Sequence, residues 1–323
     1  MARYGIMLSS FDQPLHALRA SIEELQDLGY GDLWSNENYV LDAFTPLAVA
    51  STWAPSARLG LGIAQAYTRG AAILAMSIAG LCQAAPGRVV VGIGASTKII
   101  VEDWNGVPYK KPYSRVRDTI RFLRAALAGG KVTEEYETFG VKGFRLAAKI
   151  EQPPPILIGA VRPRMLALAG QLGDGTILNN LSADDLKKVI PHVRQGNTDK
   201  EIVCNVYVAL NQDVDMVRKT WRRALNEYLN APAYAAAQKW MGHADELQET
   251  WEKWKAGDRK GAAAAIPDAF LDSLVVHGST NECRDKIQRY VDNGADTVVI
   301  DMVPGTVDTM RAARALAPTG ARH

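Results

Sequence analysis

The stretch Gly87-Arg88-Val89-Val90-Val91-Gly92-Ile93-Gly94-Ala95-Ser96-Thr97 decides between two architectures. An apolar run enters a glycine-rich turn, as at the start of a dinucleotide-binding strand–helix–strand unit. That fingerprint needs a third glycine three residues after Gly94, where this chain has Thr97. It also needs an acid about 20 residues on to hold a ribose, and Asp118 falls instead inside a helical pattern that begins near Tyr113. The run is moreover the fourth of its kind in the chain.

Eight such runs recur: RYGIML from Arg3, GDLWS from Gly31, RLGLGI from Arg58, RVVVGI from Arg88, PILIG from Pro155, GTILNN from Gly175, IVCNVYVAL from Ile202 and DTVVID from Asp296. Segments of helical period lie between them. Leu15, Leu18, Ile22, Leu25 and Leu28 form one apolar stripe closed by Gly29; Met165, Leu166, Ala169 and Leu172 form another before Gly173. Alternating strands and helices imply parallel pairing with right-handed crossovers. The runs are continuously apolar, as in strands covered by helices on the outside. Eight units close into a (β/α)8 barrel of the α/β class. Two insertions break the rhythm. Residues 95 to about 154 contain KVTEEYETFGVKGFRL, a small hairpin by its alternation. Residues 212 to about 294 are rich in Ala, Trp and charge. Within the second, Trp240, Leu247, Trp251 and Trp254 are spaced to share one helical face, read as core packing rather than an aromatic cage.

The 323 residues are 47% hydrophobic and carry a formal charge of +2, which gives no reason to expect a polyanionic partner. No apolar run approaches the roughly 20 residues of a membrane helix. The N-terminus reads unlike a signal peptide, and Cys82, Cys204 and Cys283 lie far apart without a CxxC, so a cytoplasmic location with reduced thiols is expected.

In a barrel of this type ligands bind at the C-terminal ends of the strands. The candidates are then Ser9, Ser10 and Asp12; Glu37 and Asn38; Ala64 and Gln65; Gly94 to Lys98; Gly159 to Arg164; Asn179 and Asn180; Asn211; and Met302 to Pro304. None of His16, His192, His243, His277 and His323 falls at a strand end, and no pair has ligand spacing, so no metal is expected. There is neither a GxSxG elbow nor a Walker A sequence. Lys98 follows a turn, where a solvated or anion-pairing lysine is commoner than a Schiff-base lysine. The most informative segment is ILIGAVRPRMLALAGQLGDG. A strand ends at Gly159-Ala160 and a helix starts near Pro163, flanked by Arg162 and Arg164. Cations are disfavoured at a helix N-terminus unless an anion docks there, so this is a candidate anion site, with two solvated arginines as the alternative. Glu37 is the carboxylate placed to face the mouth; Asn179 and Asn180 either orient a polar ring or cap the following helix.

ARLGLGIAQAYTRGAAILA, GRVVVGIGAST, VEDWNGVPYKKPYSRVRDTIRFLRAALAGG, PPPILIGAVRPRMLALAGQLGDGTIL and IPDAFLDSLVVHGSTNECRDKIQRYVDNGADTVVI, in this order, resemble the luciferase-like monooxygenase superfamily. Within it the chain is most similar to the branch that uses the deazaflavin coenzyme F420, which includes methylenetetrahydromethanopterin reductases. The resemblance implies one barrel domain spanning residues 1–323 and hydride transfer between the deazaflavin C5 and a small organic substrate. Residues Gly62, Ile63, Ala64 and Gln65 would back the ring, with a non-proline cis peptide near Gly62-Ile63 or one residue on. Gly94, Ala95, Ser96 and Asn179 would stand beside it, and Gly159, Ala160, Val161, Arg162, Arg164 and Lys98 would serve the phosphate and acidic tail, with Lys110 and Lys111 as further partners. Glu37 and Asn38 would be the catalytic residues, with the proton coming from Glu37, a substrate group or water, and a homodimer is expected. An FMN-dependent monooxygenase is the first alternative and a non-catalytic deazaflavin-binding paralogue the second. The chain departs from the family pattern in three places. Asn38 replaces a histidine after the acid, Thr97 stands near a glutamate position of the sugar-phosphate dehydrogenases, and Thr68-Arg69-Gly70-Ala71 replaces Thr-Arg-His-Pro. Glucose-6-phosphate oxidation is therefore not expected.

Overall fold

The computed structural model describes residues 2–37, 39–195, 197–303 and 307–318. Its strands are β1 (Arg3–Met7), β2 (Asp32–Ser35), β3 (Arg58–Gln65), β4 (Val89–Gly94), β5 (Val132–Glu135), β6 (Gly140–Phe144), β7 (Ile156–Gly159), β8 (Gly175–Leu178), β9 (Glu201–Ala209), β10 (Val275–His277) and β11 (Thr297–Asp301). Eight of them close a parallel barrel in the order β1, β2, β3, β4, β7, β8, β9, β11, and the circle is completed by β9 pairing with β8 and β11 with β1. The eight runs read from sequence are these eight strands. The hairpin expected in the first insertion is β5–β6, antiparallel and outside the barrel.

Two features differ from the sequence reading. Val275–His277 form a short parallel strand on Tyr207–Ala209, past the Glu201–Cys204 portion of β9 that pairs with β8. Three residues are too few to show a period, so β10 was hidden inside the second insertion. Trp240 does not share a helix with Leu247, Trp251 and Trp254: the helix Pro232–Met241 ends at Gly242, with φ 114°, before Ala244–Lys255 begins. The packing role stands. Leu247 is fully buried, and Trp251 Nε1 donates to the Leu229 carbonyl at 3.0 Å.

The barrel interior is built in layers, as strand alternation requires. At the N-terminal end Asp32, whose side chain is 0% exposed, accepts from Arg3 Nε at 2.7 Å and Arg58 Nε at 2.9 Å; Arg58 also binds Glu201. This closed charge network plugs the bottom. Above it Met7, Trp34, Val90, Leu157, Ile177, Val203 and Val299 form an apolar plug. The Trp34 ring fits because β3 has glycine opposite: a Cβ on Gly60 would lie 2.3 Å from its ring carbons.

Candidate functional site

Two residues beyond each of six plug residues stand Ser9, Asn36, Gly159, Asn179, Asn205 and Asp301. All six line a cavity of about 470 Å³ at the C-terminal mouth. Strand alternation thus carries the inward face from a packed layer to an open one. The second wall comes from the long insertion. Its helices Val214–Asn230 and Pro232–Met241 bring Trp221, Ala224, Leu225, Tyr228, Ala233 and Tyr234 over the mouth. They are tied to the barrel by polar contacts: Tyr234 Oη pairs with the Asn179 amide at 3.2 Å, and Gln238 Nε2 donates to the Asn180 carbonyl at 2.7 Å, while Tyr207 Oη of β9 donates to Asn180 Oδ1 at 3.3 Å within the barrel. Neither asparagine caps the following helix, whose N-cap is Asp185.

Of the residues expected at the cofactor, Gly62, Ile63, Gly94, Ala95, Ser96, Gly159, Ala160, Val161 and Asn179 line this cavity. The Gly62-Ile63 peptide is cis, and the pairing of β3 with β4 shifts register between Leu61 and Ala64, so Ile63 is pushed out into the mouth. Gly94 and Gly159 make room for it: a Cβ on either would lie 3.0 or 3.1 Å from the Ile63 side chain. Ala64 is buried in the core behind this bulge. Lys98, Arg162 and Arg164 are exposed, outside the lining; the Arg164 guanidinium stacks on Tyr113, 4.0 Å from the ring centre. Arg162 is the N-cap of the helix Pro163–Leu172 and makes no side-chain cap. Pro163 has no N–H, and the Met165 and Leu166 N–H groups donate to the Arg162 carbonyl, which leaves the Arg164 N–H as the first-turn donor an anion would meet. Lys111 is engaged by Glu137 at 3.2 Å.

Glu37 does not line the main cavity. Its Oε1 accepts from Arg69 Nε at 2.8 Å and its Oε2 from the Gln65 backbone N–H at 2.9 Å, beside a separate, more open hollow that it shares with Gln65, Asp42, Ile73 and Trp104. Both carboxylate oxygens are thus committed to fastening β2 to β3. Asn38, expected beside it, lies outside the described residues.

The carboxylate that does face the cavity is Asp301, at the end of β11. Asn205 Nδ2 donates to its Oδ2 at 2.8 Å, and Ser10 hydrogen-bonds it as well. Burial pushes its carboxyl up to about 6, while those two hydrogen bonds pull the other way. Sequence reading stopped one residue later, at Met302. Asp301 is Val299 plus two, and the inward alternation of DTVVID was the signal that points to it. Among the described lining residues there is no Lys, Arg or His, and no group of three or more His, Cys, Asp or Glu side chains could hold a metal.

Residues 2–297 match the family described as luciferase-like monooxygenase. The chain is 26% identical to a 5,10-methylenetetrahydromethanopterin reductase of Methanolobus tindarius, covering 84% of this chain and 85% of that protein. Its fold is that of the coenzyme F420-dependent tetrahydromethanopterin reductase of Methanopyrus kandleri, with a TM-score of 0.81, 20% identity and coverage of 98% and 97%. It is also that of an F420-dependent secondary alcohol dehydrogenase solved with an F420–acetone adduct, with a TM-score of 0.79, 15% identity and coverage of 100% and 99%.

Proposed function

Because this chain belongs to the luciferase-like monooxygenase family, we propose that it is a coenzyme F420-dependent oxidoreductase moving a hydride to or from a small organic substrate with a C=C, C=N or C=O group. The observation that carries the reading is the wall made by Ile63 on Gly94 and Gly159: glycines at the ends of two strands leave one apolar bulge as the surface on which a planar ring can lie. The F420-named relatives support the choice of deazaflavin over FMN.

In this reading Gly62, Ile63, Gly94, Ala95 and Ser96 hold the ring. The start of the helix Pro163–Leu172, beside Gly159 to Val161, takes the phosphate, and Arg162, Arg164 and Lys98 at the rim meet the acidic tail. The bound deazaflavin supplies the carbon that carries the hydride. The chain orients the partner molecule against it and keeps water out. That partner lies on the side of Tyr207, Trp221, Tyr228 and Tyr234, a largely apolar wall suited to an organic molecule without negative charge.

The chain is read as one barrel domain with two insertions, working in the cytoplasm, where its three buried free cysteines stay reduced. It is also read as a homodimer. The helix Ala71–Ala84 has no charged residue, and its Ile73 and Met76 are 52% and 46% exposed, an apolar face that a second copy would cover.

Reduced F420 supplied with a panel of enones, imines and ketones tests the activity. Substrate-dependent return of the oxidised deazaflavin absorbance is expected. FMN-dependent oxygen consumption in its place would overturn the assignment.

A further inference from the structure

We propose that Asp301 is the acid–base residue of this site, giving a proton to the oxygen or nitrogen of a C=O or C=N substrate as hydride reaches the carbon. The inference rests on the F420 reading and adds to it the source of the proton. Hydride addition to the carbon breaks the π bond and leaves its electron pair on the heteroatom. Asp301 protonates that atom, becomes a carboxylate and regains its proton from solvent. In the oxidative direction the same carboxylate accepts the proton of an alcohol or amine.

Position is the first argument. Asp301 is the only carboxylate among the described residues that line the cavity. It sits two residues beyond Val299 of the plug, so its side chain rises from the cavity floor, and Tyr228 of the inserted helix is near enough to feel its charge. Orientation is the second. Asn205 holds Oδ2 at 2.8 Å, and the Ser10 hydroxyl, which accepts the Met302 N–H at 2.9 Å, has its own proton left for the carboxylate. The acid is therefore fixed from two neighbouring strands' ends and still faces the cavity. Surroundings are the third. The groups around it are Ser10 from the turn after β1, Asn205 and Tyr207 from β9, and Tyr228 from the inserted helix. None is a cation, so only the Asn205 and Ser10 hydrogen bonds favour the carboxylate, and burial outweighs them. Glu37 has the opposite setting, with both oxygens occupied by Arg69 and the Gln65 N–H outside the cavity. A proton donor needs to face the site and to hold its proton part of the time; Asp301 lines the cavity and burial raises its carboxyl to about 6.

Wild type, D301N and D301E decide it, with F420 affinity measured on each by fluorescence so that cofactor binding is read apart from proton transfer. Equal affinity in all three is expected. The D301N kcat for ketone or imine reduction should fall about 100-fold or more, the usual scale for losing a general acid. Reduction by the wild type should slow as pH rises through about 6, and D301E should restore part of the rate with that limb displaced. Independently of turnover, carboxyl-¹³C-labelled aspartate in the cofactor-free protein should give one resonance titrating near 6 that D301N lacks. A D301N enzyme with wild-type kcat and pH profile would overturn the proposal. So would an Asp301 resonance titrating in the ordinary aspartate range.

Discussion

Arg69 Nε donates to Glu37 Oε1 at 2.8 Å, with the two side chains only 23% and 10% exposed. The pair joins the end of β2 to the turn after β3, and the Gln65 N–H on the other oxygen completes the clamp. A carboxylate so used is a fastener. Glu37→Gln should then lower stability by about 1–3 kcal/mol, the usual cost of losing one partner of a charge-assisted hydrogen bond. Its pH–rate profile should keep the wild-type shape. Urea denaturation and a pH series on the same preparation check both, and a lost or shifted ionisation in E37Q would return the catalytic role to Glu37.

Asp301 makes stability depend on pH in a definite direction. Its carboxyl is raised from the ordinary 3.8 to about 6, so between those values the folded state binds more protons than the unfolded one. Stability contributed by the neutral acid is present below about pH 4 and is lost as pH rises through about 6. D301N cannot ionise and should be more stable than wild type at pH 8 by on the order of 1–3 kcal/mol, with the gap closing toward pH 4. Denaturation curves across that range give the answer; a constant difference at all pH values would contradict it.

Much of this architecture was legible in the chain, for a physical reason. Parallel barrel strands are apolar on both faces, so each stands out as a run, and the glycines that end β4 and β7 mark where something must approach the backbone closely. Hence the eight strands and the glycines at the mouth, Gly94 and Gly159, could be placed in advance, whereas the bulge near Gly62-Ile63 was expected only from the family resemblance. What stayed hidden depends on contacts distant in sequence. Trp221 and Tyr228 lie on the helix Val214–Asn230 and Tyr234 on the helix after it, and periodicity does not say that these helices cover the mouth. The commitment of Glu37 requires knowing that Arg69 folds back onto it. Asp301 looked like the polar end of a strand because its inward direction emerges only by counting from Val299.

Gly159 offers a test of the cofactor wall. Valine there would place a Cβ 3.1 Å from Ile63 Cγ2 and push its methyl groups toward the cavity. F420 affinity should fall tenfold or more, while the overpacking should cost about 1–3 kcal/mol of stability and leave the fold intact. Calorimetric binding beside a thermal melt separates the two effects. Undiminished F420 affinity in a folded G159V would place the ring elsewhere.

The apolar helix face makes its own prediction. Charging it with Ile73→Asp and Met76→Asp together should convert a dimer to a monomer in sedimentation equilibrium, with little change in monomer secondary structure, since both side chains are about half exposed in the single chain. Unaltered association of the double variant would exclude this face.

The central claim is that the mouth of this barrel is a deazaflavin site. Equilibrium titration of the cofactor-free protein with F420 and, separately, with FMN, followed by fluorescence, addresses it most directly. Saturable one-to-one binding of F420, at least tenfold tighter than FMN and weakened by G159V, is the predicted result. Tight FMN binding with no measurable affinity for F420 would contradict it.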